Sequence, residues 1–325
     1  MLDSKSPQEK EVLTPTELAI KAIDDAGLAK RVTRHEFPAM GTLFYSVAVD
    51  APENVHSAIE NRVHELEGCW TRFSQNSELM KLNLSHGAPM RVSDDLLILI
   101  REMIHGFELT EGVFDPSILG QLMELGFTTD DENLNKQIRE NPVVSHSLSD
   151  IRIDDESREI SLPHGLMLDP GGIGKGLAAD LMAQMAISLG ASGIAVFAGG
   201  EVSVRGQAPT KEGWTIAVEN PWDASDFLDT VAVHSGGIAT SSMEARSVAD
   251  VHHILNPVTG QNFATDVVQA TVLCERAVDA EVLAKACFAY DCAESISMIE
   301  EVGAQALLVD RDGNIHRSHG WEDFT

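Results

Sequence analysis

The amino-acid sequence predicts an α+β fold, because strand-like and helix-like segments mix without regular alternation. Short β-rich runs, such as TLFYSVAV (Thr42–Val49) and QALLVD (Gln305–Asp310), are separated by longer segments in which apolar residues recur every three or four positions. A doubly wound parallel sheet requires repeated strand–helix–strand units, which this order does not provide. We therefore expect mixed or antiparallel sheets, with helices, in two interleaved lobes.

The chain divides into a short N-terminal segment and one domain. Residues 1–30 are polar and charged, with a short amphipathic patch in TELAIKAIDDAGLAK, and are predicted to form a tail or a peripheral helix. Residues 31–325 contain no internal repeat, low-complexity block or clear linker. We therefore expect a single folded unit whose lobes exchange chain segments.

Each element follows from its apolar spacing and its boundary residues. The first strand is expected at Thr42–Val49, and spacings of three and four predict a helix over Ala58–Trp70. A second helix is expected over Asp94–Leu109, because Ser93 has the residue type that caps helix N-termini. The remaining predicted elements are, in chain order, short strands up to Leu162, a helix at Ile173–Leu189, one strand each in GIAVFAGG, GWTIAVENP, TVAVHSGGIAT and VVQATVLC, helices at Asp279–Ala289 and Ala293–Val302, and the strand QALLVD.

The charge balance excludes several classes of partner. The chain has 23 Lys and Arg residues against 51 Asp and Glu residues, which gives a formal net charge of −28 at pH 7. A field of that sign repels nucleic acid and anionic lipid, so we expect neither a nucleic-acid nor a membrane partner. No signal peptide or transmembrane run is recognisable, which predicts a cytoplasmic protein, and four cysteines without a CxxC pair indicate neither a zinc site nor a disulfide framework.

The strongest local signal is a glycine-rich turn in MLDPGGIGKGLAADLMAQ (Met167–Gln184). A strand end at Asp169 leads through four glycines into a helix, whose N-terminal N–H groups suit an anion, and Lys175 adds a point charge. The spacing fits neither the P-loop, which needs Ser or Thr after the lysine, nor the GxGxxG dinucleotide fingerprint. A closely packed strand-to-helix turn without a ligand explains the segment equally well.

Two further segments combine polar side chains with turn residues. In GVFDPS (Gly112–Ser117) Asp115 precedes a proline, which points a carboxylate out of an extended or turn conformation. HHILNPVTG (His252–Gly260) places two adjacent histidines before an Asn-Pro turn. Because neighbouring side chains point to different faces, the two histidines are poorly placed to bind the same metal ion. Each segment also has a structural explanation, an Asx turn in the first and a hydrogen-bonded structural histidine in the second.

Nine segments follow one another in a fixed order: FPAMGT, TRFSQNSELMKLN, GVFDPS, LDPGGIGKGLAAD, FAGGEVSVRG, WTIAVENP, IATSS, HHILNPVTG and an Ala-rich final helix. In that order, from about Phe37 to about Asp310, the chain resembles the ApbE family of flavin transferases, the FAD:protein FMN transferases. The resemblance implies an α+β fold with FAD bound in a cleft between two lobes. It also implies that, with Mg²⁺, FMN is moved from FAD to a Thr or Ser of an acceptor protein and AMP is released.

The resemblance implies roles for individual residues. Met40 matches a flavin-contacting methionine, and Phe73 matches an aromatic residue that provides a stacking surface. His253 matches the histidine of the family's HIIDP segment and is the candidate catalytic acid or base. The residues implied to bind FAD are Met40, Phe73, Val113, Phe114, Asp115, Asp169, Lys175 and Leu255.

The magnesium site that the resemblance implies departs from the family pattern. The last helix of the family usually reads ADALATALF, and its Asp and Thr hold Mg²⁺ together with a carbonyl from the glycine turn. Aligned without a gap, Glu281 takes the Asp position, Gly172 supplies the carbonyl and Lys285 takes the Thr position, where a protonated amine cannot ligate a metal. A register that uses Asp279 instead places a leucine at the Thr position, and Asn256 replaces the usual Asp of HIIDP.

The resemblance leaves three functions open. The first is FAD binding with transfer of FMN to a Ser or Thr hydroxyl of an acceptor flavoprotein. The second is a non-catalytic FAD-binding or flavin-carrier protein, because Lys285 could pair with Glu281 and reach the pyrophosphate in place of the metal. The third is an FAD pyrophosphatase that releases AMP without an acceptor. The second and third functions would not need Mg²⁺, whereas for the first the binding of Mg²⁺ stays open, because Lys285 stands where the family has a ligand.

Overall fold

The structure is a computed structural model that describes residues 31–140, 147–243, 247–248, 251–252 and 254–325. The described residues have the predicted α+β architecture, with one large sheet, several short sheets and helices. Residues 1–30, predicted as a tail or peripheral helix, lie outside the described residues.

The helices of ten residues or more fall close to their predicted positions. Thr42–Val49 is a strand as predicted, and the Ser93 hydroxyl accepts the Leu96 N–H at 3.2 Å and so caps the predicted helix at Asp94. The described strands are β1 (Val32–Ala39), β2 (Thr42–Val49), β3 (Met90–Arg91), β4 (Arg152–Asp154), β5 (Glu159–Ser161), β6 (Gly193–Ala198), β7 (Glu201–Gly206), β8 (Trp214–Asn220), β9 (Asp223–Val233), β10 (Gly236–Ser242), β11 (Ser247–Val248), β12 (Val251–His252), β13 (Leu255–Asn256), β14 (Gln261–Asn262), β15 (Val267–Cys274), β16 (Gln305–Asp310) and β17 (Ile315–Arg317). The described α-helices are α1 (Val55–Trp70), α2 (Glu78–Asn83), α3 (Asp94–Leu109), α4 (Leu119–Glu124), α5 (Glu132–Glu140), α6 (Gly174–Ser188), α7 (Ala277–Ala286) and α8 (Cys292–Glu301).

An eight-stranded sheet with the order β1-β2-β6-β7-β10-β15-β16-β17 forms the centre of the fold, and each neighbouring pair in it is antiparallel. Both faces of β6, in the middle of this sheet, are buried, which explains why β6 is an unbroken apolar run. In β6, Ile194 and Val196 join the core beneath α1, α3 and α6, whereas Ala195 and Phe197 join a second core beneath the β8–β9 hairpin. The period-two alternation of a strand therefore fills two cores at once.

Two helices that pack on the sheet and on each other position the glycine turn. Helix α6 packs on β6 and β7, and α7 packs on β10 and β15. A third core joins α7 and α8 to the strands below them, with Leu283, Phe288 and Ile299 fully buried. The N-terminus of α6, where the glycine turn ends, is thereby held against α7.

One strand prediction is wrong. TVAVHSGGIAT was predicted as a single strand, but β9 ends at Val233 and β10 begins at Gly236. The two strands belong to different sheets, because β9 pairs with β8 and β10 joins the central sheet. The segment FPA, which was expected to precede the first strand, belongs to the edge strand β1, where Pro38 is tolerated because an edge strand has unpaired positions.

The four cysteines are free thiols, which agrees with the absence of a disulfide framework. None of the helices in the described part of the chain combines the length and the apolarity that a bilayer crossing requires.

Candidate active site

A cavity of about 420 Å³ lies beside the glycine turn and is lined by segments that are far apart in the sequence. It gathers every predicted FAD-contacting residue, together with Gly172 and Lys285. Glu281 stands directly behind this lining, bonded to Lys175, and the candidate catalytic residue His253 lies outside the described residues. The predicted residues that line the cavity are Met40, Phe73, Val113, Phe114, Asp115, Asp169, Gly172, Lys175 and Leu255.

Met40 occupies a strained position at the cavity. It forms, with Gly41, the two-residue turn between β1 and β2, and both residues have positive φ angles, 50° and 70°. A methionine is disfavoured in this left-handed region, where Asn or Gly is usual. The Glu67 carboxylate accepts the Met40 N–H at 2.6 Å and helps to hold the turn. Strain at a cavity-lining residue is consistent with a functional requirement for the side chain.

Arg72 connects the predicted ring-stacking residue to the glycine turn. Its guanidinium lies over the Phe73 ring at 4.3 Å, and its Nε lies 2.8 Å from Asp169 Oδ1 in an ion pair. The Arg72 guanidinium also donates to the carbonyl of Phe127 at 2.9 Å. Because the Phe73 side chain is 58% exposed, one of its faces is available to a planar ligand.

The turn in GVFDPS (Gly112–Ser117) borders the cavity. The Phe114 ring packs so closely on Gly172 that a Cβ at this glycine would lie 2.7 Å from a ring carbon. Asp115 lines the cavity, and its Oδ1 accepts the Ser117 N–H at 2.8 Å, which forms the predicted Asx turn. The Pro116 carbonyl accepts the Asp169 N–H at 2.7 Å and joins this turn to the glycine turn.

The Asn-Pro segment contributes apolar lining rather than charge. Leu255 is buried in the short strand β13 and faces the cavity. The Asn256 side chain accepts the N–H groups of Val258 and Thr259 at 2.9 and 3.2 Å. Asn256 therefore caps its own turn, which an aspartate could do equally well, and it is not part of the cavity lining.

Helices α6 and α7 cap each other through buried carboxylates. Glu281 Oε2 on α7 accepts the Gly176 N–H in the first turn of α6 at 2.8 Å. Asp180 Oδ2 on α6 accepts the Val278 N–H in the first turn of α7 at 3.0 Å. The two N-termini are so close that a Cβ at Gly176 would lie 2.6 Å from the Ala277 carbonyl oxygen, so only glycine fits there. Each carboxylate satisfies an N–H group that an unpartnered helix start would leave without a bond.

Two lysines and two glutamates form a cluster where the cavity meets α6. Lys175 Nζ lies 2.5 Å from Glu201 Oε1 and 2.8 Å from Glu281 Oε1, and Lys285 Nζ lies 3.2 Å from the same Glu281 oxygen. The two lysines border the cavity, whereas the glutamate side chains are 4% and 0% exposed and stand behind them. The cluster therefore presents ammonium groups to the cavity and keeps its carboxylates in the interior.

The pKa values of this cluster are shifted by burial and by its opposite charges. Burial opposes the ionisation of Glu281, but attraction to Lys175 and Lys285 and hydrogen bonds from Lys175 and Gly176 lower its pKa to about 2. Burial also lowers the pKa of Lys175, but the two carboxylates more than offset it and leave that pKa above the ordinary value. For Glu201, burial raises the pKa and outweighs the attraction of Lys175. Glu281 is thus a stable anion at neutral pH.

The donor set does not fit the Mg²⁺ site that the resemblance implies. Magnesium needs near-octahedral oxygen ligands at about 2.0–2.1 Å. Glu281 already accepts two ammonium groups and one backbone N–H, and the Lys285 side chain passes Gly172, with its Cδ 3.4 Å from where a Gly172 Cβ would be. Among the described residues, no group of three or more His, Cys, Asp or Glu side chains is placed to hold a metal ion. Asp279 forms an ion pair with Arg276 and does not line the cavity, so the alternative register does not supply a ligand there.

Sequence reasoning did not single out Arg72 and Glu201. Arg72 directly precedes Phe73, and Glu201 directly follows the two glycines of FAGGE, so both lay within segments that carried the family resemblance. Neither position shows from its neighbours that it will be buried beside a distant opposite charge. Only packing reveals these two pairs.

Comparison with known proteins relates the whole arrangement to one family. The profile of the ApbE family matches residues 40–308. An FAD:protein FMN transferase from Treponema pallidum is 26% identical over 294 residues, which cover 83% of this chain and 81% of the relative. One from Vibrio cholerae is 28% identical over 268 residues, which cover 76% and 78% of the two chains.

Solved structures agree on the fold. The crystal structure of an ApbE protein from Thermotoga maritima superposes with a TM-score of 0.80 at 28% identity and covers 90% of this chain and 99% of that one. The flavin transferase ApbE from Vibrio cholerae superposes with a TM-score of 0.75 at 22% identity and covers 91% and 100% of the two chains.

Proposed function

The chain belongs to the ApbE family, and from that premise we propose that it is an FAD:protein FMN transferase. It would move FMN from FAD to a Ser or Thr hydroxyl of an acceptor flavoprotein and release AMP. The observation that carries the proposal is the cavity, which gathers the residues predicted to contact FAD from five separate parts of the chain beside a helix N-terminus and two lysines.

The cavity suggests how FAD is held. The exposed face of Phe73 and the Met40 side chain suit a planar ring, and the carboxylates of Asp115 and Asp169 suit ring N–H groups. The glycine turn and the first turn of α6 suit the pyrophosphate, because helix N-termini attract anions and Lys175 adds a positive charge there.

The proposed reaction is a single phosphoryl transfer. The acceptor's hydroxyl oxygen forms a bond to the phosphorus of the FMN part, the bond from that phosphorus to the AMP phosphate breaks, and the hydroxyl proton passes to a base. His253 is the candidate base, and this role rests on its position in the HILNP segment. No step is assigned to a magnesium ion, because the donor set around Glu281 does not suit one.

Incubation with FAD and a candidate acceptor flavoprotein tests the proposal. The acceptor should become fluorescent in a denaturing gel, with one AMP released for each flavin attached, and an acceptor whose target Ser or Thr is replaced by Ala should stay dark. The reactions are run in parallel with Mg²⁺ and with EDTA. AMP release without labelling would indicate an FAD pyrophosphatase, and FAD binding without AMP release would indicate a flavin carrier; either result would contradict the transferase. The cytoplasmic location remains a prediction for cell fractionation.

A further inference from the structure

The two lysines at the cavity are held as a rigid pair by carboxylates that do not reach the ligand space. Glu201 and Glu281 are almost completely buried and do not line the cavity, whereas Lys175 and Lys285 do. Glu281 Oε1 accepts from both lysines and therefore fixes their nitrogen atoms next to one another. Two ammonium groups are thereby placed side by side at the glycine turn, with the carboxylates behind them. Burial and the neighbouring charge of Lys175 lower the pKa of Lys285, and the attraction of Glu281 opposes this shift.

Each ammonium group keeps donor capacity for a ligand. An ammonium group has three N–H donors and no lone pair. Lys175 uses two of them on Glu201 and Glu281, at 2.5 and 2.8 Å. Lys285 uses two on the side chain and the carbonyl of Glu281, at 3.2 and 3.4 Å. Among the contacts of the described residues this leaves one donor on each lysine, and both side chains border the cavity.

The Lys285 side chain occupies the space in which the family resemblance implies a metal ion. Its Cδ and Cε run past Gly172, at 3.4 and 3.6 Å from where a Cβ on that glycine would be, and its nitrogen ends on Glu281. A divalent cation at Glu281 would stand among two ammonium groups that repel it. The lysine pair and the ion therefore exclude each other, unless Lys285 is displaced.

We propose that Lys175 and Lys285 together hold the pyrophosphate of FAD in place of a divalent cation, so that this protein binds FAD without Mg²⁺. The inference rests on the proposed function, because it takes FAD as the ligand. Two ammonium groups supply the same formal charge as one Mg²⁺ ion, and they supply it as hydrogen-bond donors, which phosphate oxygens accept readily. The buried carboxylates fix the lysines before the ligand arrives, which reduces the entropy lost on binding.

The test compares the FAD dissociation constant of the wild-type protein in excess Mg²⁺ and in excess EDTA by isothermal titration calorimetry. We expect the same affinity in both media. Binding that EDTA weakens tenfold or more, about 1.4 kcal/mol, would overturn the inference while leaving the proposed function intact. Absence of FAD binding in both media would overturn the proposed function and the inference with it. This comparison requires no variant and does not depend on turnover.

Variants at Lys285 sharpen the test. Lys285→Met should weaken FAD binding by about tenfold in both media, because it removes one charge-assisted donor. Lys285→Thr, which provides a hydroxyl and removes the competing charge, should make the affinity rise when Mg²⁺ is added. Lys81→Met removes one exposed positive charge on α2, away from the cavity lining, and should leave the affinity unchanged. Wild-type affinity in folded Lys285→Met, or a Lys285→Thr variant indifferent to Mg²⁺, would contradict the inference; circular dichroism verifies folding.

Discussion

Replacing Glu281 by alanine should cost about 3–5 kcal/mol of unfolding free energy, because it removes one partner from a buried ion cluster. The side chain is completely buried and accepts Lys175 at 2.8 Å, Lys285 at 3.2 Å and the Gly176 N–H at 2.8 Å. An N–H group left without an acceptor in the interior costs about 1–3 kcal/mol. Lys285 would keep only the carbonyl of residue 281, and its charge would lose its nearest counterion. The expected loss is large beside a typical total stability of about 5–15 kcal/mol.

Urea unfolding followed by circular dichroism in the presence of EDTA measures this loss without any contribution from a bound metal. Glu281→Gln should fall between wild type and Glu281→Ala, because the amide oxygen can still accept the Gly176 N–H while the charge is gone. Glu301→Ala, an exposed position at the end of α8, should stay within about 0.5 kcal/mol of wild type. Wild-type stability of Glu281→Ala in EDTA would refute the reasoning, because Glu281 would then serve ligand binding and not the α6–α7 contact.

Three further predictions concern the cavity and its pH dependence. Gly172→Ala should weaken FAD binding about tenfold, because its Cβ would lie 2.7 Å from a Phe114 ring carbon. Gly68→Ala, where a Cβ would meet no atom within 4 Å and which lies outside the cavity lining, is the control, and equal affinities of the two variants in a fluorescence titration would contradict this prediction. Phe73→Ala should weaken FAD binding by about fivefold without lowering the thermal unfolding temperature, since the side chain is 58% exposed, and unchanged affinity would argue against stacking. The stability that Glu281 contributes should be fully present above its ordinary pKa of 4.5 and lost as the pH falls through its folded pKa of about 2. Urea unfolding at several pH values measures it as the difference in unfolding free energy between wild type and Glu281→Ala. A difference that persists below the folded pKa would contradict the role of the charged carboxylate.

The longer helices and several strands could be predicted from the sequence, because apolar periodicity and helix caps act over a few residues. The strand at Thr42–Val49 and the helix that Ser93 caps depend on such local patterns, and both were predicted correctly. The prediction of a single strand in TVAVHSGGIAT was wrong, because β-forming residues on both sides of a turn give the same pattern as one continuous strand. Which sheet each part joins is decided by distant partners, β8 for one and β7 and β15 for the other.

The candidate site was predicted residue by residue through the family resemblance, and the structure gathers the described ones around one cavity. The sequence also revealed that Lys285 stands where a metal ligand was expected and that it could pair with Glu281 one helical turn away. It did not reveal Arg72 or Glu201 as partners of Asp169 and Lys175, because ion pairs between distant segments leave no local pattern.

By itself the sequence determined the class of fold, the family and many of the residues that line the cavity. Only the tertiary structure decided that Glu281 accepts hydrogen bonds from two lysines and from the first turn of helix α6, since Lys175 is 106 residues away along the chain. The physical reason is burial. An exposed Glu–Lys pair on a helix contributes about 0.5 kcal/mol or less, but in the interior each charge must find a partner, and the packing of α6 on α7 determines which one it finds.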